Sequence, residues 1–136
     1  MDIRYSCNQR DFKRYTTEET RKEFLIEKLF VADEVVPVYS HVDRMVTVGV
    51  MPVTEKVPLD KGIDIWANFG THYFLERREL GMFNVGGEGT VTVDGTVYEL
   101  GYKDPAFMHA APHEAQIGRP DEVKAARNPV VRYVKP

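Results

Sequence analysis

The segment TVTVDGTVYEL, residues 90–100, decides the fold class that this sequence predicts. Two runs in which apolar and polar residues alternate flank the pair Asp94-Gly95. A two-residue type I′ turn needs positive φ at both central positions, which Asp-Gly tolerates, so the segment predicts a β-hairpin. The predicted register pairs Val91 with Tyr98 and Val93 with Thr96. One face of the hairpin then carries Val91, Val93, Tyr98 and Leu100, and the opposite face, expected to meet water, carries Thr90, Thr92 and Glu99.

Strand signals continue on both sides of this hairpin. Val46, Val48 and Val50 recur at a period of two, which is typical of a strand. The stretch 52–64 predicts a long loop or an edge strand broken by Pro58, because proline cannot donate to a strand ladder. The remaining predictions are a glycine turn at 86–89, a short strand over 105–107, a polar loop over 118–129 and a last strand over 130–134.

The front of the chain predicts a polar arm over residues 1–15 and one helix over residues 16–29. Thr16 and Glu19 fit a capping box, in which each side chain accepts from the other residue's backbone N–H. Good helix formers follow, with Phe24, Leu25 and Leu29 on one face, and the helix is expected to end near Phe30. Residues 31–136 are expected to form a β-barrel. The sequence therefore predicts a single all-β domain, an antiparallel barrel or sandwich with one N-terminal helix.

Composition excludes several classes of protein. The 136 residues are 43% hydrophobic with a net charge of −3, which predicts a packed core and excludes intrinsic disorder. The longest nearly uncharged apolar stretch, 45–53, is about half of the ~20 residues that a membrane-spanning helix needs. Cys7 is the only cysteine, so no internal disulfide and no Cys-based zinc cage can form. Because residues 1–7 lack a secretory signal and no basic surface is indicated, we expect a cytoplasmic protein that binds neither nucleic acid nor membrane.

Several long, irregular motifs carry a resemblance to a known family. They are YFLERRELG at 73–81, NVGGEG at 84–89 and VTVDG at 91–95, with EFLIEK at 23–28, VADE at 31–34 and YSHVDR at 39–44 upstream. Through them the chain resembles the amino-terminal half of the 5-keto-4-deoxyuronate isomerases, also called 4-deoxy-L-threo-5-hexosulose-uronate ketol-isomerases. The resemblance is close from residue 1 to Asp104 and looser over 105–136.

The resemblance implies a bacterial, cytoplasmic enzyme of pectin breakdown. Members of the family convert 5-dehydro-4-deoxy-D-glucuronate into 3-deoxy-D-glycero-2,5-hexodiulosonate, carry zinc and form homo-oligomers, commonly hexamers. Their fold is a double cupin, so the present chain is expected to be one cupin-like jelly-roll barrel. The second cupin half, which holds the His-rich metal site of the family, is absent from this sequence.

A partial metal-binding pattern of cupins occurs at His72, Glu79 and Gly86. Cupins in general place His-x-His, then Glu after three or four residues and Gly after six more, with a further His in a later hairpin. Here Phe74 occupies the second His position, and His113 is the candidate for the later one. Together His72, Glu79 and His113 would form a two-His, one-carboxylate site suited to Zn, Fe(II) or Mn(II). The alternative is that both histidines lie singly on the barrel while Glu79 pairs with a neighbouring arginine.

Charged residues elsewhere give the remaining candidates. A ketol isomerisation needs a base near the carbon and a cation near the two oxygens, and the substrate's carboxylate suits an arginine fork. We take His41, Asp43 and Arg77 as catalytic candidates, with His41 and Asp43 expected to share one strand face. The candidates for carboxylate binding are Arg44, Arg77 and Arg78. The alternatives are a structural His–Asp pair and inter-subunit ion pairs of the arginines.

Three functions remain open at this stage. The first is the ketol-isomerase, with this chain as its amino-terminal cupin and a small uronate as substrate. The second is a self-contained metal cupin that uses His72, Glu79 and His113. The third is a cupin without catalytic activity that binds a sugar acid or serves in assembly.

Overall fold

The computed structural model describes residues 1–108 and 115–118, and these are mostly β, with 36% in strands and 15% in helices. Within them, no helix is long and apolar enough to cross a membrane. The elements in chain order are β1 Asp2–Arg4, α1 Gln9–Phe12, α2 Thr17–Phe24, β2 Val35–Ser40, β3 Met45–Val50, β4 Val57–Pro58, α3 Ile65–Phe69, β5 Leu80–Phe83, β6 Gly89–Val93, β7 Thr96–Leu100, β8 Pro105–Met108 and β9 Ala115–Gly118. The loop predicted over 118–129 is wrong at Gly118, which belongs to β9. The rest of that loop, the predicted strand over 130–134 and His113 lie outside the described residues.

The hairpin of β6 and β7 confirms the prediction from residues 90–100. Asp94 and Gly95 have φ values of 45° and 80°, as a type I′ turn requires. The register pairs Val91 with Tyr98, as predicted. The expectation that Thr90 faces water is wrong, because this side chain is only 1% exposed. Val91, which points to the opposite face, is also 1% exposed, so both faces of β6 are covered at this point.

Three separate sheets make up the described part of the molecule. Their strand orders are β1-β2-β3, β4-β9-β6-β7 and β5-β8. From β4 onward the antiparallel pairs are nested, because β6 pairs with β7, β5 with β8 and β4 with β9. The short strand β4 contains Pro58 and lies at the edge of its sheet, which confirms the edge-strand alternative for the stretch 52–64.

The hydrophobic core joins sheets that share no strand among the described residues. Four buried residues form its centre: Leu59, Ile63, Phe74 and Leu75. Side chains from β3, α3, β5 and β9 pack around them, namely Val46, Val48, Val50, Ile65, Phe69, Leu80 and Ile117. The predicted strand of alternating valines is confirmed as β3, and its valines lie against this core. Apolar burial is therefore what holds the sheets to one another.

The amino-terminal region is more structured than the sequence predicted. Instead of an irregular arm, residues 1–15 contain β1, which pairs in parallel with β2, and the short helix α1. With α3 later in the chain, the described residues hold three helices rather than one. The sequence gives only a weak signal for β1, because this strand is three residues long and depends on β2 for its hydrogen bonds.

The helix α2 begins where predicted and ends five residues early. The capping box is confirmed, because Thr16 Oγ1 accepts from the Glu19 N–H and the Glu19 carboxylate accepts from the Thr16 N–H. That backbone hydrogen bond also lowers the pKa of Glu19. The helix ends at Phe24 rather than at residue 29. The guanidinium of Arg4 donates to the Glu23 carbonyl at 3.2 Å, which satisfies one of the last carbonyls of the helix from outside.

After α2 the chain crosses β3 at very close range. Gly49 is buried in β3, and the backbone carbonyl of Leu29 lies where a Cβ atom of Gly49 would be. Only glycine permits this approach of two backbones. The contact requires residues 25–31 to leave the helix, so the predicted placement of Leu25 and Leu29 on one helical face is wrong.

Asp33 ties the loop before β2 to the loop after β3. Its carboxylate accepts from the Val53 and Thr54 N–H groups at 2.7 and 2.8 Å and from the Thr54 hydroxyl at 2.7 Å. These hydrogen bonds, that from the Thr54 N–H first, hold the pKa of Asp33 well below its usual range. Lys61 Nζ donates to the Asp33 carbonyl at 2.7 Å and adds a third loop to the same point.

Replacement of Gly49 by alanine is expected to destabilise the fold. The added Cβ collides with the Leu29 carbonyl, and a backbone group cannot rotate away, so the free energy of unfolding should fall by about 1–3 kcal/mol. Gly87→Ala is the matched control, because no atom lies within 4 Å of a Cβ at Gly87. Urea denaturation of both variants measures the difference. Equal stability of the two variants would contradict the close approach.

Replacement of Asp33 by asparagine is expected to lower stability at neutral pH more than at acidic pH. The ionised carboxylate stabilises the native state fully above its ordinary pKa of about 3.9, and this contribution is lost as the pH falls toward the lower pKa of the folded state. Asparagine tolerates the positive φ of 56° at this position. Urea denaturation at pH 7, 5 and 3 should show the gap between wild type and Asp33→Asn narrowing with acidity. The exposed Asp43→Asn serves as control, and a gap that stays constant from pH 7 to pH 3 would refute the expectation.

Candidate functional site

Helix α3 presents an aromatic side chain between the core and the surface. Asp64 caps the helix by accepting from the Ala67 N–H at 2.9 Å, and Gly70 ends it with a φ of 62°. On this short helix Phe69 packs edge-on against the buried Phe74, with ring centroids 5.6 Å apart. The core thus fixes the position of Phe69.

Arg78 lies over this aromatic side chain. Its guanidinium carbon is 4.3 Å from the centroid of the Phe69 ring and 5.7 Å from that of Tyr39. Both distances are within the range of a cation–π interaction. Among the described residues no carboxylate forms an ion pair with Arg78. The guanidinium is therefore held by rings on its face rather than by an acid at its edge.

His41 continues the same group of rings on the other side of Tyr39. Its imidazole stacks on Tyr5 with centroids 4.6 Å apart and planes 8° apart, and it meets Tyr39 edge-on at 4.8 Å. The His41 N–H donates to the Arg4 carbonyl at 2.8 Å, which ties the turn after β2 to the end of β1. The side chains of Tyr5 and His41 are both exposed.

These residues form what we call the aromatic–arginine cluster: Tyr5, Tyr39, His41, Phe69 and Arg78. Four separate parts of the chain contribute to it, from the end of β1 to the segment before β5. The cluster combines a fixed cation, an imidazole, two phenol groups and exposed ring surface. Such a set can hold an anion and pack against an apolar face, and it contains no carboxylate to accept a proton.

The predicted pairing of His41 with Asp43 is not found. Residues 41–44 form the turn between β2 and β3, with Arg44 at a φ of 53°, so the argument from a shared strand face was wrong. The chain reverses direction within these residues, so their side chains do not alternate between two faces as they would on a strand. The expected shared face of His41 and Asp43 depended on that alternation. In the described part of the chain, His41 and Asp43 form neither a hydrogen bond nor an ion pair with each other.

The three arginine candidates have different surroundings. Arg44 is exposed in the turn. Arg77, both a catalytic and a binding candidate, is 74% exposed at its side chain and lies 3.9 Å from the Glu76 carboxylate. Arg78 alone of the three packs on aromatic rings. The structure thus brings His41 and Arg78 to one cluster and leaves Arg44, Asp43 and Arg77 in solvent.

The predicted metal ligands are placed only in part. His72 is exposed, and its ring lies 5.5 Å from that of Trp66. Glu79 is exposed just before β5, and His113 lies outside the described residues. Phe74, which takes the place of a second histidine, is 7% exposed and belongs to the core. Across residues 1–108 and 115–118 no three His, Cys, Asp or Glu side chains come together in a group that could hold a metal ion.

Three members of the cluster were not predicted from the sequence as site residues, namely Tyr5, Tyr39 and Phe69. They are 30 or more residues apart in the chain, and each alone indicates only a surface or core aromatic residue. A signal was present in YSHVDR, where Tyr39 and His41 stand two residues apart, but their contact depends on the end of β2 at Ser40.

Comparison with known proteins identifies relatives over nearly the whole chain. The 4-deoxy-L-threo-5-hexosulose-uronate ketol-isomerase of Escherichia coli O45:K1 (strain S88 / ExPEC) is 44% identical over 127 residues. The proteins of the same name from Shigella sonnei (strain Ss046) and Enterobacter sp. (strain 638) are 43% and 42% identical over 127 residues. No protein-family profile matches the chain.

The matches cover different shares of this chain and of its relatives. Each covers 93% of this chain but 45% of the relative, so the chain spans slightly less than half the length of the curated relatives it matches. The matched part is their amino-terminal half. Because 127 residues are matched, the similarity continues past Asp104, further than the sequence motifs indicated. The resemblance noted from the sequence is thereby confirmed.

Replacement of Arg78 by glutamine is expected to reduce stability modestly. It removes the cation from the Phe69 ring, and a cation–π contact near the surface contributes about 0.5–1 kcal/mol to the free energy of unfolding. Arg77→Gln, the same change at the exposed neighbour, should stay within about 0.5 kcal/mol of wild type. Urea denaturation compares the two variants, and a larger loss at Arg77 than at Arg78 would contradict the described packing.

Proposed function

We propose that this chain is the amino-terminal part of a uronate ketol-isomerase, which converts 5-dehydro-4-deoxy-D-glucuronate into 3-deoxy-D-glycero-2,5-hexodiulosonate. The observation that carries the proposal is the 42–44% identity to proteins of that name over 93% of the chain. Identity at this level over 127 residues does not depend on one short motif.

We further propose that the β-rich region is a cupin-like jelly roll. The nested pairing of β6 with β7, β5 with β8 and β4 with β9 supports this, because a long hairpin folded over into two sheets produces such a pattern. The outer and inner pairs share one sheet, and the middle pair forms another.

The reaction requires groups that the described residues supply only in part. Ketol isomerisation moves a proton between adjacent carbons, so it needs a base and an electrophile at the two oxygens. His41 and Arg78 offer an imidazole and a cation within one cluster, whereas Asp43 and Arg77 face solvent. No metal-binding group lies beside them among the described residues, and we propose that catalysis depends on the half of the longer relatives that this chain does not span.

Zinc, which the resemblance implies, is proposed to belong to that other half as well. The support is chemical: the described residues gather no three metal-binding side chains, and Phe74 takes a position where cupins place a histidine. A metal ion in an isomerase supplies a positive charge at the substrate oxygens.

We also propose a cytoplasmic homo-oligomer of this chain. The outer face of the β5–β8 sheet supports a contact with a second copy, because the register places Phe83 and Phe107 on it, and they are 75% and 57% exposed. The Phe107 ring lies over Gly81 on the same face. Exposed apolar surface of this kind marks interaction sites.

The sharpest test of the isomerase proposal is a chimera. This chain replaces the matched amino-terminal segment of the Escherichia coli O45:K1 relative, and turnover of 5-dehydro-4-deoxy-D-glucuronate is measured with and without added Zn²⁺. We expect activity in the chimera and none in the isolated chain, because the catalytic half is present only in the former. The unmodified relative is the positive control.

Two outcomes would contradict this proposal. A chimera with the circular dichroism spectrum of the relative but no turnover would show that the two amino-terminal halves are not equivalent. Turnover by the isolated chain would show that its own residues suffice for the reaction, and would overturn the proposed dependence on the other half.

A further inference from the structure

We propose that the aromatic–arginine cluster is a binding site for a hexuronate, with the carboxylate on Arg78 and the sugar against the exposed rings of His41 and Tyr5. The choice of a hexuronate as ligand rests on the proposed function. The site itself is inferred from the arrangement of the five side chains.

Arg78 is prepared for a carboxylate. Its face lies over the Phe69 ring at 4.3 Å, and a guanidinium carries its N–H donors at the edge of its plane, away from a ring that covers the face. Two such donors match the two oxygens of a carboxylate. Because the rings already restrict the side chain, less conformational entropy is lost on binding than for an arginine free in solvent.

No competing acid satisfies Arg78 within the described residues. Glu76, the nearest acid in sequence other than Glu79, accepts from the His72 N–H at 2.6 Å and lies 3.9 Å from Arg77. Within residues 1–108 and 115–118, neither Arg44 nor Arg77 packs on a ring, and both are exposed. Of these three arginines, Arg78 is thus the one that rings restrain and that has no ion pair with an acid in the described part of the chain.

The exposed rings supply the second element of the site. Tyr5 stacks face to face on His41 and is still 69% exposed, so part of the stacked pair remains open to solvent. Rings in this position can pack against the C–H groups of a sugar, while the imidazole and the phenol offer hydrogen bonds to its hydroxyls. Tyr39 contacts both His41 and Arg78 and so links the sugar-facing rings to the carboxylate-facing cation.

This division of roles predicts a defined selectivity. A neutral hexose leaves Arg78 without its anion, and a small carboxylate leaves the rings without contact. Only a ligand with both features occupies the whole cluster, so D-galacturonate should bind, whereas D-galactose and acetate should bind much more weakly.

The test is titration of the isolated chain with these three compounds, followed by isothermal calorimetry or by NMR signals of the His41 ring. We expect saturable binding of D-galacturonate. Arg78→Gln should weaken it about 10- to 100-fold, because a hydrogen-bonded charge pair is lost. Arg77→Gln, the same change one residue away, should bind like wild type. Arg78→Lys, which keeps the charge but not the fork, should give an intermediate affinity.

A second variant tests the rings independently of the arginine. Tyr5→Ala removes an exposed side chain from outside the core and should weaken D-galacturonate while leaving the unfolding transition near that of wild type. Circular dichroism of every variant confirms that the protein is folded.

Four results would overturn the inference. They are absence of galacturonate binding to the wild type, equal binding of galactose, equal binding of acetate, and equal losses in Arg77→Gln and Arg78→Gln. This test reads binding by the isolated chain without turnover. The isomerase proposal stands or falls on turnover by the chimera, so failure of one is distinguishable from failure of the other.

Discussion

The burial of Phe74 is the interaction on which the rest of the structure depends. The three sheets in the described part of the chain share no strand, so no ladder of backbone hydrogen bonds runs from one to another. Phe74, Leu75, Leu59 and Ile63 form the apolar centre against which side chains of β3, β5 and β9 pack. Phe69 extends from this centre through its edge contact with Phe74 and carries Arg78 on its ring. The position of the surface cation is therefore set by the core.

The same residue explains how this chain differs from a metal-binding cupin. A histidine at position 74 would place a polar ring in an apolar site, where it needs hydrogen-bond partners, whereas phenylalanine contributes only apolar area. Phe74 contributes to the stability of the core, and His72 lies at the surface beside Trp66. A β-rich fold can persist in this way without the metal chemistry that cupins perform, since a fold does not fix a function.

The sequence predicted the turn and the helix cap, which depend on neighbouring residues. It did not predict the end of α2 or the aromatic–arginine cluster, which depend on contacts between distant parts of the chain. The Asp94-Gly95 turn and the Thr16 capping box each involve residues only a few positions apart in the chain. Both are confirmed, the turn together with the register of its hairpin. The end of α2 depends on Arg4 and on the approach of Leu29 to Gly49, contacts with partners about 20 residues away. The aromatic–arginine cluster draws on residues from 5 to 78, so no spacing in the sequence reveals it. Arg78 was among the predicted residues, but only the structure distinguishes it from Arg77.

A binding site in one half of an isomerase and catalytic groups in the other are consistent with the energetics of catalysis. Contacts to the carboxylate and to the body of the sugar are made equally in the ground state and in the transition state, so they lower KM without raising kcat. Proton transfer and charge stabilisation act on different atoms, those of the carbonyl and its neighbouring carbon. The cluster described here has a restrained guanidinium and exposed ring surface, which suit the first task. On the two proposals, recognition of the sugar acid lies in this chain, and the chemistry depends on the part of its relatives that the chain does not span.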